Sequence, residues 1–523
     1  MVTKVLAHWS RWFNFAILLA LWEVLGQLQL VASGTLPPPS AILLRFWADR
    51  DDYPLHVLAT LQSSFLGFLI GNAIAISAGT IFALSPRILR MFRGINIAIF
   101  AVPPIAISPI LVPTLSGMTP RVVLAALGCY FATMTATVMG LTQADARSID
   151  VVRAYGGTDL SELRYVRLRG ALPVILGGFR IAAPAAVLGA ILAEFGGGGR
   201  YGLGAYLLGS LGRADPPRLW GIGLIATLIS GLAYALFSII GKGITGASLA
   251  VTVPTGIPVT PFKPSSGVER VVLAAIATTL PLVLWWLLLR GLNVPDMIAK
   301  TPVSLFNYFF LSPNAATTQQ MLRDALAQTL PLTVAGLFAG LAFAFALALW
   351  AEVFPAIFQA FMPVALVTQS MPLVALTPLL VLMLGRGPAL TLWITISVTF
   401  FPAFVTIAQG IIMVPKAALD VPRAYGASKL QELWLVAIPA ALPYVFAAMR
   451  LAAPRALLGV MIAEWLATGT GLGNLLNHAR GYLDYGMIWT VAVTSVLIAI
   501  IFYQIVLILE RWVLSLMGIK MIE

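Results

Sequence analysis

About a dozen stretches of this sequence, each long enough to cross the ~30 Å hydrocarbon layer of a bilayer as a helix, run with almost no charge. With 60% of its 523 residues hydrophobic and 10% charged, the chain has more apolar surface than a soluble core could hide. The apolar runs lie near 13 to 32, 57 to 84, 94 to 115, 121 to 141, 174 to 195 and 219 to 240. A second set lies near 269 to 290, 327 to 351, 357 to 384, 389 to 413, 444 to 467 and 487 to 515. The expected fold is therefore an all-α membrane protein of about twelve transmembrane helices. The first run follows Lys4 and Arg11, is longer than a signal-peptide core and lacks a clear cleavage site, so it reads as a retained helix.

The two sets are copies. "VVRAYGGTDLSELRYVRLRGALP", Val151 to Pro173, returns as "VPRAYGASKLQELWLVAIPAALP", Val421 to Pro443. Arg153, Ala154, Tyr155, Gly156, Leu160, Glu162, Leu163, Pro173, Arg180, Pro184, Gly189 and Glu194 recur at one constant offset. Their twins are Arg423, Ala424, Tyr425, Gly426, Leu430, Glu432, Leu433, Pro443, Arg450, Pro454, Gly459 and Glu464. Pro103 and Pro109 are echoed by Pro372 and Pro378. The expected organisation is a first repeat over 1–245, a Pro-, Thr-, Ser- and Gly-rich linker over 246–267 and a second repeat over 268–523. Six spans per repeat make the halves parallel, related by an axis along the membrane normal.

The net charge of +12 does not point to nucleic acid, because the basic residues gather in short loops between apolar spans. Arg87, Arg90 and Arg93, the cluster from Arg147 to Arg169, Lys242 and Lys263 fall on one face with Lys4 and Arg11. That face is expected to be cytoplasmic, with both termini on it. Cys129 is the one cysteine, and His8, His56 and His478 are scattered, so no disulfide or zinc site is expected.

Both copied segments then sit in the cytoplasmic loop between the fourth and fifth spans of their half. Asp150 or Asp420 is placed to cap the segment's start, and Leu160 with Leu163, or Leu430 with Leu433, to share one helical face. Gly156 and Gly426 permit a bend or a close approach, so each segment reads as two short helices meeting at a glycine. Topology alone needs charge, not the repeated order Arg-Ala-Tyr-Gly.

"DVVRAYG", "DVPRAYG" and the ending "IPAALP" resemble the coupling segment of ABC-importer permeases, in the branch for nitrate, sulfonates and taurine. "LPPPSAIL", "AEF", "AEW" and the following "GLG" carry the resemblance along nearly the whole chain. Asp150 and Asp420 stand where that family has Glu, and Arg169 stands where the second copy has Pro439. The resemblance implies a dimer of six-helix permeases fused in one bacterial inner-membrane polypeptide. It implies two ABC ATPase subunits, a periplasmic substrate-binding protein and a small anionic or aromatic solute. It also makes Asp150, Arg153, Ala154, Tyr155, Gly156, Leu160, Glu162 and Leu163, with Asp420, Arg423, Ala424, Tyr425, Gly426, Leu430, Glu432 and Leu433, the ATPase-coupling residues.

Pro103, Pro109, Pro372 and Pro378 would loosen helices along a path. Glu194 and Glu464 lie toward the outer ends of their helices, either bonded to the glycine-rich turn that follows or lining the path. Arg180 and Arg450, toward the inner ends, would snorkel to lipid phosphate, pair with the loop or line the path. "GGGGRYG" follows a membrane helix rather than a strand, and "GKGITGAS" has the wrong order for a phosphate-binding loop. ATP and Mg are therefore expected on partner subunits, with no cofactor or metal on this chain and no catalytic residue. The alternative of a different class is a twelve-helix secondary transporter of the major facilitator type. It would want a coupling acid near mid-membrane and a charged loop after the second span, where "SPRILRMFRG" has no acid. A non-transporting scaffold would explain neither the repeat nor the prolines.

Overall fold

The computed structural model describes residues 16–17, 19–29, 36–197, 199–213, 215–245, 267–291, 294–354, 377, 380–381 and 383–518. The described residues form helices and connections, without a strand. After a helical stretch over 19–27, the first half comprises α1 Pro39–Ala48, α2 Tyr53–Leu84, α3 Pro86–Ala101, α4 Pro104–Thr114, α5 Thr119–Thr142, α6 Ala146–Ala154, α7 Asp159–Phe195, α8 Leu203–Leu211 and α9 Pro216–Thr245. The second half comprises α10 Gly267–Gly291, α11 Pro302–Leu311, α12 Ala315–Val353, α13 Pro388–Ile412, α14 Lys416–Ala424, α15 Lys429–Thr468, α16 Gly471–Gly481 and α17 Tyr485–Leu516. Most of the linker, most of the run over 357–384 and part of the run over 13–32 lie outside the described residues, as do Pro372 and Pro378.

Among the described residues nine helices are long and apolar enough to span a bilayer. The run near 94 to 115, expected as one straight span, is a pair of helices bent by 93°. Val102 and Pro103 leave helical backbone angles there, because a proline restricts its predecessor and has no N–H to continue the ladder. Proline is also punctuation elsewhere. It occupies the first turn of α2, α3, α4, α5 and α13, where an N–H has no intrahelical partner anyway.

Within each half the spans approach closely through small residues, as bilayer helices do when no water drives them together. Gly67 and Gly71 of α2 lie against Ala125, Ala126 and Cys129 of α5. In the second half Gly336 and Gly340 of α12 lie against Thr395 and Thr399 of α13. The α7 face does the same, with Gly189 pressed on the α5 backbone at Leu124 and Ala125. The leading helix of each half leans on the last through tryptophan. Trp22 and Trp220 have ring centroids 5.4 Å apart, and Trp285 and Trp489 stack at 5.2 Å.

The halves share one core. Ile105, Ala106 and Ile110 of α4 and Val187 and Ile191 of α7 pack in a single cluster with Leu457, Met461 and Ile462 of α15 and Leu476 of α16. On the side away from the copied loops, Arg218 of α9 forks onto Asp49 at the end of α1, Nε to Oδ2 at 2.7 Å and Nη2 to Oδ1 at 2.5 Å. Burial pushes the Asp49 carboxyl up, but hydrogen bonds and charge from Arg218 and Arg45 outweigh it and hold the group below the usual carboxylate range.

This packing predicts different fates for two glycines of α7. Gly189→Ala would press a methyl on α5 backbone, which cannot swing aside, and should cost about 1–3 kcal/mol. A Cβ at Gly177 meets nothing within 4 Å, so Gly177→Ala should leave the melting temperature in detergent unchanged or raise it. Equal melting curves for the two variants would contradict the packing.

Candidate functional site

The copied loops are two matching elbows. α6 runs to Ala154, the chain turns at Gly156 with φ +76°, and α7 begins at Asp159; α14, Gly426 with φ +78° and α15 repeat the path. In the first elbow the N–H of Gly156 donates to Arg153 O at 2.9 Å and that of Gly157 to Val152 O at 2.9 Å, so the helix's last carbonyls are satisfied by the turn itself. A Cβ at Gly156 or Gly426 would meet nothing within 4 Å. Of the two reasons for glycine, the positive φ holds and the close approach does not.

An ion pair closes each elbow. Arg153 of α6 donates through Nε to Glu162 of α7, whose side chain is buried while Arg167 approaches its other oxygen at 3.6 Å. Arg423 is bidentate on Glu432, Nε to Oε1 at 2.8 Å and Nη2 to Oε2 at 2.9 Å. Directly after each pair the helix passes through one π-helical turn, Leu163–Arg167 or Leu433–Ala437.

Two details differ from the sequence reading. Asp150 and Asp420 do not cap: Asp145 accepts from the Arg147 N–H at the start of α6, Pro415 precedes α14, and the two aspartates lie inside their helices. Leu160 and Leu163 also part company. Leu160 is exposed, whereas Leu163 packs beside Leu141, Ala171 and Ile175; likewise Leu430 is exposed and Leu433 buried. What projects from the elbows is apolar: Val151, Tyr155 and Leu160 in one, Val421, Tyr425 and Leu430 in the other, with Tyr155 and Tyr425 89% and 90% exposed. Ala154 and Ala424 end α6 and α14 beside these tyrosines.

At the far ends of the same helices sit two buried polar knots. Glu194 accepts from the Gly204 N–H at 2.9 Å and from Thr60 Oγ1 at 2.9 Å, and Thr60 in turn accepts from the Leu203 N–H at 2.8 Å. Glu464 repeats this with Gly473 N–H at 2.9 Å, Thr329 Oγ1 at 2.7 Å, and Leu472 N–H on Thr329 at 2.9 Å. Each carboxylate thus caps the start of a short helix, α8 or α16, and threads it to the span α2 or α12. Gly202 and Gly471, at φ +144° and +79°, lie so close beneath the carboxylates that any side chain would collide with them. Among the described residues the first knot alone has a cation within ion-pair distance, Arg121 Nη1 at 3.9 Å from Glu194 Oε1.

Arg180 and Arg450 each reach the last span of their half. Arg180 Nη2 donates to Tyr234 Oη of α9 at 2.6 Å, and Arg450 Nη1 is 3.2 Å from Glu510 Oε2 of α17. Both arginines tie the central helix of their half to its last span. Pro103 lies at the α3–α4 bend, and Pro109 is buried inside α4. The sequence reading passed over Thr60 and Thr329. Their signal is a second echo, Thr-Leu followed by two glycines four apart: Thr60, Leu61, Gly67 and Gly71 against Thr329, Leu330, Gly336 and Gly340.

The same duplication appears on comparison with known proteins. The model of the family described as binding-protein-dependent transport system inner membrane component matches twice, over 71–247 and 340–515. The chain belongs to this family. A probable ABC transporter permease protein of Haemophilus influenzae is 29% identical over 230 residues, which is 43% of this chain and 94% of that protein. The riboflavin transport system permease protein of Chloroflexus aurantiacus is 33% identical over 153 residues, covering 29% of this chain and 57% of the relative. A putative aliphatic sulfonates transport permease protein of Bacillus subtilis is 29% identical over 192 residues, 35% of this chain and 67% of its own length. The chain is thus a multi-pass inner-membrane permease of the ABC-importer class, carrying the permease unit twice.

The knots generate a prediction for the two short helices they hold. Thr60→Val and Thr329→Val each keep shape but leave a buried carboxylate and a buried N–H short of a partner. Each should cost about 1–3 kcal/mol. Amide exchange should rise first in α8 for Thr60→Val and in α16 for Thr329→Val; uniform exchange across the permease would show that the knots do not anchor these helices.

Proposed function

We propose that this permease is the whole membrane-spanning pair of an ABC importer, with repeats 1–245 and 268–523 joined by a cytoplasmic linker over 246–267. Each elbow docks one of two ABC ATPase subunits. ATP and Mg bind on those subunits, and this chain holds no cofactor of its own. A periplasmic binding protein delivers a small anionic or aromatic solute to the opposite face, and both termini lie in the cytoplasm.

The observation that carries the reading is the pairing of an exposed apolar knob with a rigid base, present twice. Tyr155, Leu160 and Val151 offer surface for a groove, as do Tyr425, Leu430 and Val421. The Arg153–Glu162 and Arg423–Glu432 pairs hold the knobs against helices α7 and α15. Each helix then spans roughly 55–60 Å from the elbow to beyond Glu194 or Glu464, at about 1.5 Å per residue. When the ATPases close on ATP and pull the elbows together, these rods tilt and carry the outer helices α8 and α16 with them through the knots. The bend at Pro103 lets α4 follow without dragging α3. Sulfonate and nitrate permeases among the relatives favour a small anion, and the riboflavin permease keeps an aromatic solute open.

Docking is tested through the two turn glycines. Gly156→Val and Gly426→Val force a β-branched residue into a positive φ, at a cost of about 1 kcal/mol or more. Expression should stay near normal while ATPase copurification and ATP-driven uptake fall sharply, most in the double variant; the chain purified without ATPase should hydrolyse no ATP. Normal coupling in the double variant would reduce the elbows to topology signals.

Orientation is tested by Ser161→Cys and Lys429→Cys in a Cys129→Ser background. Both thiols should resist an impermeant maleimide in intact cells and react in inverted vesicles. Labelling of either from outside would reverse the topology.

A further inference from the structure

Among the described residues one cation inside the bundle has no counter-charge. Arg455 lies on α15, nine residues before Glu464, which is roughly 13 Å along the helix and near the middle of a ~30 Å hydrocarbon layer. The first copy has Ala185 at this position. Arg455 has no hydrogen bond or ion pair among the described residues, and its side chain is only partly buried. No undescribed segment can neutralise it with a carboxylate from within the membrane. The sequence contains no acidic residue between Glu352 and Asp420, and the one acid among all undescribed residues is the terminal Glu523.

The carboxylates of the bundle are committed elsewhere. Glu194 and Glu464 are consumed by their knots, and Glu510 faces Arg450, five residues and roughly 7 Å below Arg455. Nor does Arg455 face lipid. Its stripe on α15 includes Leu451 and Ile462, 6% and 1% exposed, and Leu458, which packs with Ile462 into the cluster shared by the two halves. That cluster includes Ile105 and Ile110 of α4, the helix beyond the Pro103 bend. A guanidinium on this stripe, too deep to snorkel, needs polar partners, and an anion carried between the halves would supply them.

We propose that Arg455 is the anion-binding residue of the translocation path, taking an oxyanion of sulfonate or nitrate type through its planar fork at mid-membrane, once per transporter. The inference rests on the permease reading and narrows it. Flat oxyanions match the donor geometry of a guanidinium, whereas a neutral aromatic solute leaves the charge uncompensated. Because the position is Ala185 in the first copy, the path has one such site and not a symmetric pair. Fusion of the copies is what permits this asymmetry, since a dimer of identical chains would place two arginines across the axis.

The test uses the purified full-length chain, with sodium gluconate replaced by sodium ethanesulfonate or sodium nitrate at fixed ionic strength. At least one of these anions should raise the melting temperature of the wild type and of the Arg50→Gln surface control. Arg455→Gln should lose most of that shift, and Arg455→Lys should keep part of it. A shift undiminished in Arg455→Gln, or absent from the wild type, overturns the proposal. If Arg455→Gln does not fold, Arg455→Lys and a thiol probe decide: Arg455→Cys with Cys129→Ser should react with methanethiosulfonate ethylsulfonate in membranes, and no reaction overturns a water-filled site. ATPase copurification with the wild type reads the importer role separately. Its loss would sink that role while leaving the anion shift standing.

Discussion

A carboxylate that cannot reach water must find its donors within the protein, and the architecture of both halves follows from how Glu194 and Glu464 find theirs. Each takes one backbone N–H from the start of an outer helix and one hydroxyl from a threonine on a distant span, and each threonine accepts the neighbouring N–H. The helix start needs an acceptor, the carboxylate needs donors, and low dielectric makes either expensive alone. Satisfied together, they join three segments of chain at one point. Close packing through Gly67, Gly71, Gly189 and their second-half equivalents then fixes the distances at which the helices meet.

The elbow and the knot lie at opposite ends of one rod, which gives the permease a mechanical plan. In the docking we propose, a displacement applied at Tyr155 or Tyr425 reaches the helix through an ion pair with a buried glutamate. At the other end the same helix grips α8 or α16. The π-helical turn just after each ion pair interrupts the regular ladder near the elbow, in both copies alike. Local rewinding there would change the rod's direction with few hydrogen bonds lost.

Duplication is conserved in the working parts and relaxed between them. The knots repeat the same Glu, Thr and N–H partners and the elbows the same Arg–Glu pair and turn glycine, while their supports have drifted. Arg180 meets a tyrosine and Arg450 a glutamate; Arg121 approaches the first knot, and Thr391 occupies its place in the second half. Arg218 forks onto Asp49 in the first half, whereas Tyr308 donates to Asp484 at 2.9 Å in the second. A fused chain can diversify one half without altering the other, as Arg455 at the position equivalent to Ala185 illustrates.

The sequence by itself determined the bilayer class, the helical fold, the duplication and the place of the two copied loops. Apolar run length, repeated order and loop charge are local properties, and local properties survive in one dimension. It also marked Glu194 and Glu464, because a charge in an apolar run is conspicuous. It did not reveal that Thr60 and Thr329 complete the knots, since their partners lie more than a hundred residues away and a threonine in a membrane helix ordinarily bonds its own backbone. The cap at Asp145 instead of Asp150, the outward turn of Leu160 against the inward turn of Leu163, and the 93° break at Pro103 were likewise decided in three dimensions. In each case several local solutions cost nearly the same, and only the packing of neighbouring spans, which sets what is buried and which donors are in reach, separates them.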